Sequence, residues 1–168
     1  MGAKTATAEL LGSIFFAAKD GDAQAVTAWL DEGGGVDARY AEQYDATLLM
    51  AAARGGQEAI VRMLLRRGAS VNLQDAHGCT ALIEAAAEGH TTTVQALLDA
   101  KADASLQNTD GNTALVWAEE EKHTATVQLL RQHTKQLTAE AEARAAASVV
   151  HAAAAADAMA AELLGEEA

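Results

Sequence analysis

Residues 77–90, HGCTALIEAAAEGH, gather the side chains best suited to chemistry in this chain. His77, Cys79, Glu84, Glu88 and His90 crowd into this one stretch, and Cys79 is the only cysteine. Two chemical readings follow. Thiolate, imidazole and carboxylate are zinc ligands, and a zinc site needs three or four of them converging. A cysteine near a histidine can instead be an activated nucleophile. Either reading depends on elements that bring these side chains together, so the frame comes first.

The frame is a repeat. GCTALIEAAAEGH (78–90) recurs as GNTALVWAEEEKH (111–123) and as DATLLMAAARGGQ (45–57). Thr47, Thr80 and Thr113 are 33 residues apart, and so are Leu49, Leu82 and Leu115. A weaker copy, IFFAAKDGDAQAVTAWLDEGGGVDA (14–38), aligns with 49–73 after a two-residue expansion around 40–44. A fixed period of this length signals one supersecondary unit repeated along an axis. In the third unit Thr80 is expected to cap a short helix reaching about Glu88. Gly89 then permits a tight turn. Val94, Leu97 and Leu98 mark the buried stripe of a second helix. Residues 99–112 are polar and turn-rich, with Asp110-Gly111 a strong turn signal.

These residues resemble the ankyrin repeat family, whose pattern is D-x-x-G-x-T-P-L-H-x-A-A-x-x-G-H-x-x-x-V-x-x-L-L-x-x-G-A-x-x-N. The third unit matches it at Asp75, Gly78, Thr80, Leu82, Ala85, Ala86, Gly89, His90, Val94, Leu97 and Leu98. The second matches at Thr47, Leu49, Ala52, Ala53, Gly56, Val61, Leu64, Leu65, Gly68, Ala69 and Asn72. The resemblance implies an all-α ankyrin-repeat solenoid, each unit a helix-turn-helix plus hairpin loop. Four repeats are expected at about 10–39, 42–74, 75–107 and 108–134. A segment 1–9 precedes them, and an Ala-rich C-terminal helix, 135–168, follows. The family's T-P-L-H appears as Thr-Leu-Leu-Met (47–50), Thr-Ala-Leu-Ile (80–83) and Thr-Ala-Leu-Val (113–116). The threonine can still cap, but the rigid first-turn proline is gone, which lowers the expected stability. In the fourth unit Lys122 replaces the turn glycine and Arg131 the second core leucine, as suits a terminal unit.

This register accounts for the crowded ligand-type residues of 77–90. His90 occupies the family's Gly-His position, where the resemblance implies a role in the inter-repeat framework; Gln57 and His123 are its counterparts. His77 and Cys79 sit at hairpin positions that vary between units. No basic cluster lies near Cys79 in sequence to stabilise a thiolate. Repetition explains the spacing without a metal, so no catalytic residue, cofactor or metal site is expected. Trp29 falls on a core leucine position. Trp117 falls on a half-buried first-helix position. The glycines of 33–35 stand in the family's Gly-Ala loop, without the lysine or preceding strand of a phosphate cradle.

Composition narrows the partners. Asp and Glu number 24 against 12 Lys and Arg, a net charge of −12. Such a chain repels phosphate backbones and anionic membrane surfaces, so neither nucleic acid nor membrane is expected. One cysteine forms no internal disulfide, which fits a cytoplasmic or nuclear, reducing location. The apolar run 10–18 imitates a leader segment, yet the repeat reading accounts for it as the first core helix.

The resemblance implies a recognition scaffold that binds a protein or peptide through variable positions on a concave surface. On the early units these are Arg39, Tyr40, Gln43, Tyr44 and Arg54. Next come Gln74, His77, Cys79 and Glu88, then Gln107, Asp110, Asn112, Glu120 and Glu121. The set runs from aromatic and basic to acidic, which favours an apolar or acidic partner segment toward Tyr44 and Arg54 and basic partner residues toward Glu88, Glu120 and Glu121. Two readings stand for Tyr40 and Tyr44: exposed anchors, or packing within the expanded first hairpin. Asn72 stands where the resemblance implies a hydroxylation substrate, although loop bridging by its side chain explains it as well.

After Arg131 no glycine or proline appears until Gly165, and 136–164 is nearly all strong helix former. Leu137, Ala141, Ala145, Ser148, Ala152, Ala155, Met159 and Leu163 form a narrow seam of small residues. The tail could cap the last repeat, and this is preferred to a homodimer seam, which calls for more leucine or isoleucine. With no turn signal near 131–138, the last repeat helix could also run straight on. An oligomerising structural or adaptor subunit that works through this helix is the alternative to a groove-binding monomer.

Overall fold

The computed structural model describes residues 2–165, and they are mostly helical. The elements in chain order are α1 (Gly2–Asp20), α2 (Ala23–Asp31), β1 (Arg39–Tyr40), a 3₁₀ turn (Ala41–Gln43) and β2 (Ala46–Thr47). There follow α3 (Leu48–Arg54), α4 (Glu58–Arg66), α5 (Ala81–Ala87), α6 (Thr91–Asp99), α7 (Ala114–Glu120) and α8 (Thr124–Gly165). Helices pair as α1/α2, α3/α4 and α5/α6, and α1, α3, α5 and α7 pack in succession. The chain divides into two compact units, 1–131 and 132–168.

Local sequence explains each element of the first unit. Thr47, Thr80 and Thr113 are the N-caps of α3, α5 and α7, their side chains accepting from the N–H of Met50, Ile83 and Val116. This offsets the missing proline, because the cap satisfies an N–H that no helical carbonyl reaches. The first helices bury small residues, Ala51 to Ala53 and Ala85 to Ala86, so neighbouring backbones approach closely. Leucines and valines of the second helices fill the space behind them, with Val61, Leu64, Val94 and Leu97 all at 0 % exposure. Gly56 and Gly89 take positive φ, +68° and +73°, at the turns between paired helices. Lys122 adopts φ 61° at the same position, a left-handed conformation that glycine tolerates and lysine resists.

The repeats are joined by a recurring set of hydrogen bonds. Gln57 Nε2 donates to the Lys19 carbonyl at 3.0 Å. His90 Nε2 lies 3.1 Å from the Arg54 carbonyl, and His123 Nε2 lies 3.0 Å from that of Ala87. The framework role implied for His90 is therefore what the structure shows. A second set joins the loops. Asp37 accepts from the Ser70 N–H, and Asn72 accepts from the Asp103 N–H, at 2.9 Å in each case. A third joins the hairpin tips: Ala76 N–H donates to the Tyr44 carbonyl at 2.8 Å, and Thr109 N–H to that of His77 at 2.9 Å.

The expansion at 40–44 is taken up by the 3₁₀ turn and by Tyr44 and Asp45, both left-handed at φ 55° and 60°. β1 and β2 close this hairpin, with Arg39 opposite Thr47 and Tyr40 opposite Ala46. Of the glycines at 33–35, Gly34 has a packing explanation, since a Cβ there would fall 2.1 Å from the Trp29 indole. Residues 134–156 of α8 are exposed, and the helix is unbroken between 131 and 138.

Candidate functional site

The first helices and the hairpin tips line two adjacent grooves. The larger, of about 460 Å³, is bounded by Arg54, His77, Cys79, Ile83, Glu84, Ala87, Glu88, Asn108, Asp110, Trp117 and Glu121. The smaller, of about 240 Å³, lies toward Phe15, Gln43, Tyr44, Ala46, Met50 and Asp75. Both include Arg54, His77, Cys79 and Glu84, so they form one continuous concave surface.

Repeat register decides which side chains reach it. Tyr44, His77 and Asp110 hold equivalent hairpin positions, and each lines a groove. Tyr44 is 60 % exposed and packs against His77, ring centroids 4.2 Å apart and planes tilted by 58°. The hairpin of His77 is held by Asp75, whose Oδ1 accepts from the N–H of His77 and of Cys79 at 2.8 Å each. Asn108 does the same one repeat on, for Asp110 at 3.0 Å and Asn112 at 2.9 Å. These are Asx turns, which free the side chains at the tips from any part in folding the loop.

Ala51, Glu84 and Trp117 share a second register, four residues after each capping threonine, and all three line the grooves. Sequence reasoning missed Glu84 here, and left Trp117 outside the candidate set. Their shared position was the available signal. Arg54 Nε lies 3.6 Å from carboxylate oxygens of both Glu84 and Glu88. The contact is long and Arg54 is half exposed, so each pair contributes roughly 0–1 kcal/mol. Burial raises the Glu84 carboxyl above the ordinary glutamate value, with Arg54 opposing.

The remaining candidates are placed differently. Arg39 Nη1 donates to the carbonyls of Asp45 at 3.2 Å and Gln74 at 3.0 Å. Gln74 Nε2 donates to those of Gly78 at 2.7 Å and Gln107 at 2.9 Å. Both side chains thus serve the framework. Tyr40 packs against Phe15 and Phe16, centroids 5.3 and 6.3 Å away, and its hydroxyl donates to Glu42 at 2.6 Å. Of the two readings for the tyrosines, packing therefore describes Tyr40, while Tyr44 is the exposed one. Gln107 and Glu120 are exposed, and Asn112 is half-buried in its turn, but none of them lines a groove. Gln43 and Glu121 do.

Of the two arginines at the expected basic end, Arg54 lines both grooves and Arg39 lines neither. Arg39 is tied to backbone carbonyls and Arg54 faces two glutamates. Against Arg54 the larger groove sets four carboxylates, Glu84, Glu88, Asp110 and Glu121. The surface is acidic along its length, with an aromatic edge at Tyr44 and His77.

Cys79 lies at the join of the two grooves. Burial, helped by the charges of Asp75, Glu84 and Asp110, pushes its thiol up to about 11. A thiol so protected from ionisation is a poor nucleophile. One ligand-type atom each of Asp75, Cys79 and Glu84 lie within 4.8 Å of one another. Asp75 Oδ1 accepts from two N–H groups, and Glu84 lies 3.6 Å from Arg54. Among the described residues no helix is long and apolar enough to cross a membrane.

Comparison with curated proteins returns no match. The family described as "Ankyrin repeats (3 copies)" matches at residues 14–108, 48–141 and 85–168, which together take in all but the first residues of the chain. With the capped helix pairs and the inter-repeat bonds from Gln57, His90 and His123, this match makes the chain a member of the ankyrin repeat family.

Proposed function

We propose that this chain is a non-catalytic binding module that takes a protein or peptide partner on its concave hairpin and first-helix surface. Ankyrin repeats are generally protein–protein interaction modules. The observation that carries the reading is the continuous pair of grooves sharing Arg54, His77, Cys79 and Glu84. Tyr44 is the anchor at one end, because a rigid exposed aromatic offers contact area at low entropic cost. Basic residues of the partner face Glu88 and Glu121. The net charge of −12 disfavours nucleic acid and anionic membranes as partners. The protonated Cys79 thiol speaks against a reaction of its own, and a single free cysteine fits the cytoplasm or nucleus.

The test is affinity capture with the wild type and with a variant changed to alanine at Tyr44, His77 and Asp110, after circular dichroism shows equal folding. Loss of a partner from the variant supports the groove; a partner retained in full refutes it. A second reading, oligomerisation through α8, is favoured by the exposure of Leu137, Val149, Val150 and Met159 at 51–69 %. A concentration-dependent mass abolished by deleting 135–168 would establish that reading, and a monomeric mass at all concentrations would remove it.

A further inference from the structure

We propose that the larger groove receives a basic side chain of the partner, an arginine or lysine that enters among Glu84, Glu88, Asp110 and Glu121 and displaces Arg54. This rests on the concave surface being the binding surface.

Charge complementarity selects the occupant. Among the described residues Arg54 is the only arginine or lysine lining either groove, against four carboxylates in the larger one. It spans Glu84 and Glu88 through Nε at 3.6 Å to each, beyond hydrogen-bond distance, and its side chain is 51 % exposed. The Glu84 side chain is only 19 % exposed, so its carboxylate has little water to replace the bonds that Arg54 does not make. An arriving guanidinium can approach the fork of that carboxylate and make two short charge-assisted bonds. Apolar lining completes the fit. Ile83, Ala87 and the Trp117 ring bound the same cavity, and the aliphatic stem of an arginine or lysine covers such surface while its head reaches the acids. The indole also favours a cation near its face. A cavity of about 460 Å³ accommodates one such side chain with the backbone flanking it. Arg54 thus acts as an internal stand-in for the partner's cation, loosely held and on the rim.

The consequence is a pair of opposite effects. Removing an acid weakens binding, whereas removing Arg54 strengthens it, because the partner's cation no longer competes with the protein's own. A groove that bound an acidic segment through Arg54 would show both effects reversed.

The experiment uses a random dodecapeptide library selected on the full chain. Peptides that need the groove are those lost on the Tyr44, His77 and Asp110 alanine variant. Their affinities are then read by fluorescence polarisation. The expected result is a lysine or arginine in each groove-dependent peptide, whose replacement by glutamine weakens binding about tenfold, as loss of a charge-assisted bond would. Glu84→Gln weakens the same peptides to a similar degree, and does so less for the glutamine-substituted peptide. Arg54→Gln tightens them several-fold. Should Glu84→Gln disturb folding, Glu88→Gln on the exposed rim carries the same expectation. Groove-dependent peptides without a basic residue, or weaker binding by Arg54→Gln, overturn the proposal and leave the binding surface standing. If no selected peptide depends on the groove, the binding surface and the proposal fall together.

Discussion

Replacing Gly55 by alanine should loosen the first helix pair from the rest of the array. Gly55 ends α3 with φ −79° and ψ −3°, a conformation alanine adopts freely, so backbone strain plays no part. The obstacle is the neighbouring repeat. A Cβ on Gly55 would stand 1.9 Å from the Lys19 carbonyl oxygen and 2.8 Å from its carbon. Ordinary carbon–oxygen contact begins at about 3.3 Å, so the end of α1 must withdraw by more than about 1 Å. Main chain, unlike a flexible side-chain tip, cannot swing aside. Overpacking of this kind costs about 1–3 kcal/mol. The retreat also stretches the bond from Gln57 Nε2 to the same carbonyl, now 3.0 Å, which contributes about 1 kcal/mol. Alanine stiffens the unfolded chain and returns about 0.4–1 kcal/mol. The net loss is roughly 2 kcal/mol, concentrated at one interface, because a solenoid couples only neighbouring repeats. Two tryptophans report its two ends, Trp29 on α2 and Trp117 on α7. Urea unfolding of Gly55→Ala is followed in backgrounds that keep one tryptophan and replace the other by phenylalanine. The Trp29 midpoint should fall by roughly 1 M, given urea slopes of about 1–3 kcal/mol/M, and the Trp117 midpoint should fall less. An unchanged Trp29 midpoint would refute the close approach of α1 to α3, and equal falls in both would refute the local coupling.

Other perturbations read other parts of the structure. Lys122→Gly relieves the left-handed lysine at φ 61° and should stabilise the fourth pair by about 1 kcal/mol, raising the Trp117 urea midpoint; a fall would mean that the side chain matters more than the backbone. His123→Ala removes the bond to the Ala87 carbonyl and should lower the same midpoint by about 1 kcal/mol, whereas His123→Gln should largely restore it, as Gln57 does its counterpart's work. Glu84 has its carboxyl raised by burial, so the folded state holds that proton more readily than the unfolded chain. Its contribution to stability is therefore present below the ordinary glutamate value of about 4.3 and is lost as pH rises through the raised one. The melting temperature of Glu84→Gln relative to wild type should climb across that window, and a decline would contradict the assigned burial. With its thiol near 11, Cys79 is about 0.1 % ionised at pH 8, so iodoacetamide should modify it roughly two hundredfold more slowly in the folded protein than in urea; comparable rates would show an accessible thiolate.

The helix pairs were legible because the repeat period ties each weak local signal to its copies. Thr47 alone is a modest cap signal, but Thr47, Thr80 and Thr113 in one register are a helix start three times over. The same logic recovered His90 through Gln57 and His123, three side chains of two types that reach the same carbonyl of the preceding repeat. It left a framework role unread at Arg39 and Gln74. These differ in charge and size, so they read as variable and therefore as contact residues, yet both donate to the next hairpin's carbonyl. Variation at a repeat position shows freedom of residue type, and a backbone acceptor tolerates any long donor. Glu84 failed in the opposite way. Ala51, Glu84 and Trp117 are as unlike as three residues can be, but they sit inside a helical run where alanines dominate and core packing is the default reading. What distinguishes the two registers is bonding capacity. Arginine and glutamine share a donor that one acceptor can satisfy, whereas alanine, glutamate and tryptophan share nothing a common neighbour could use. Ala51 in this register is buried between neighbouring helices, whereas Glu84 and Trp117 carry side chains long enough to line the larger groove.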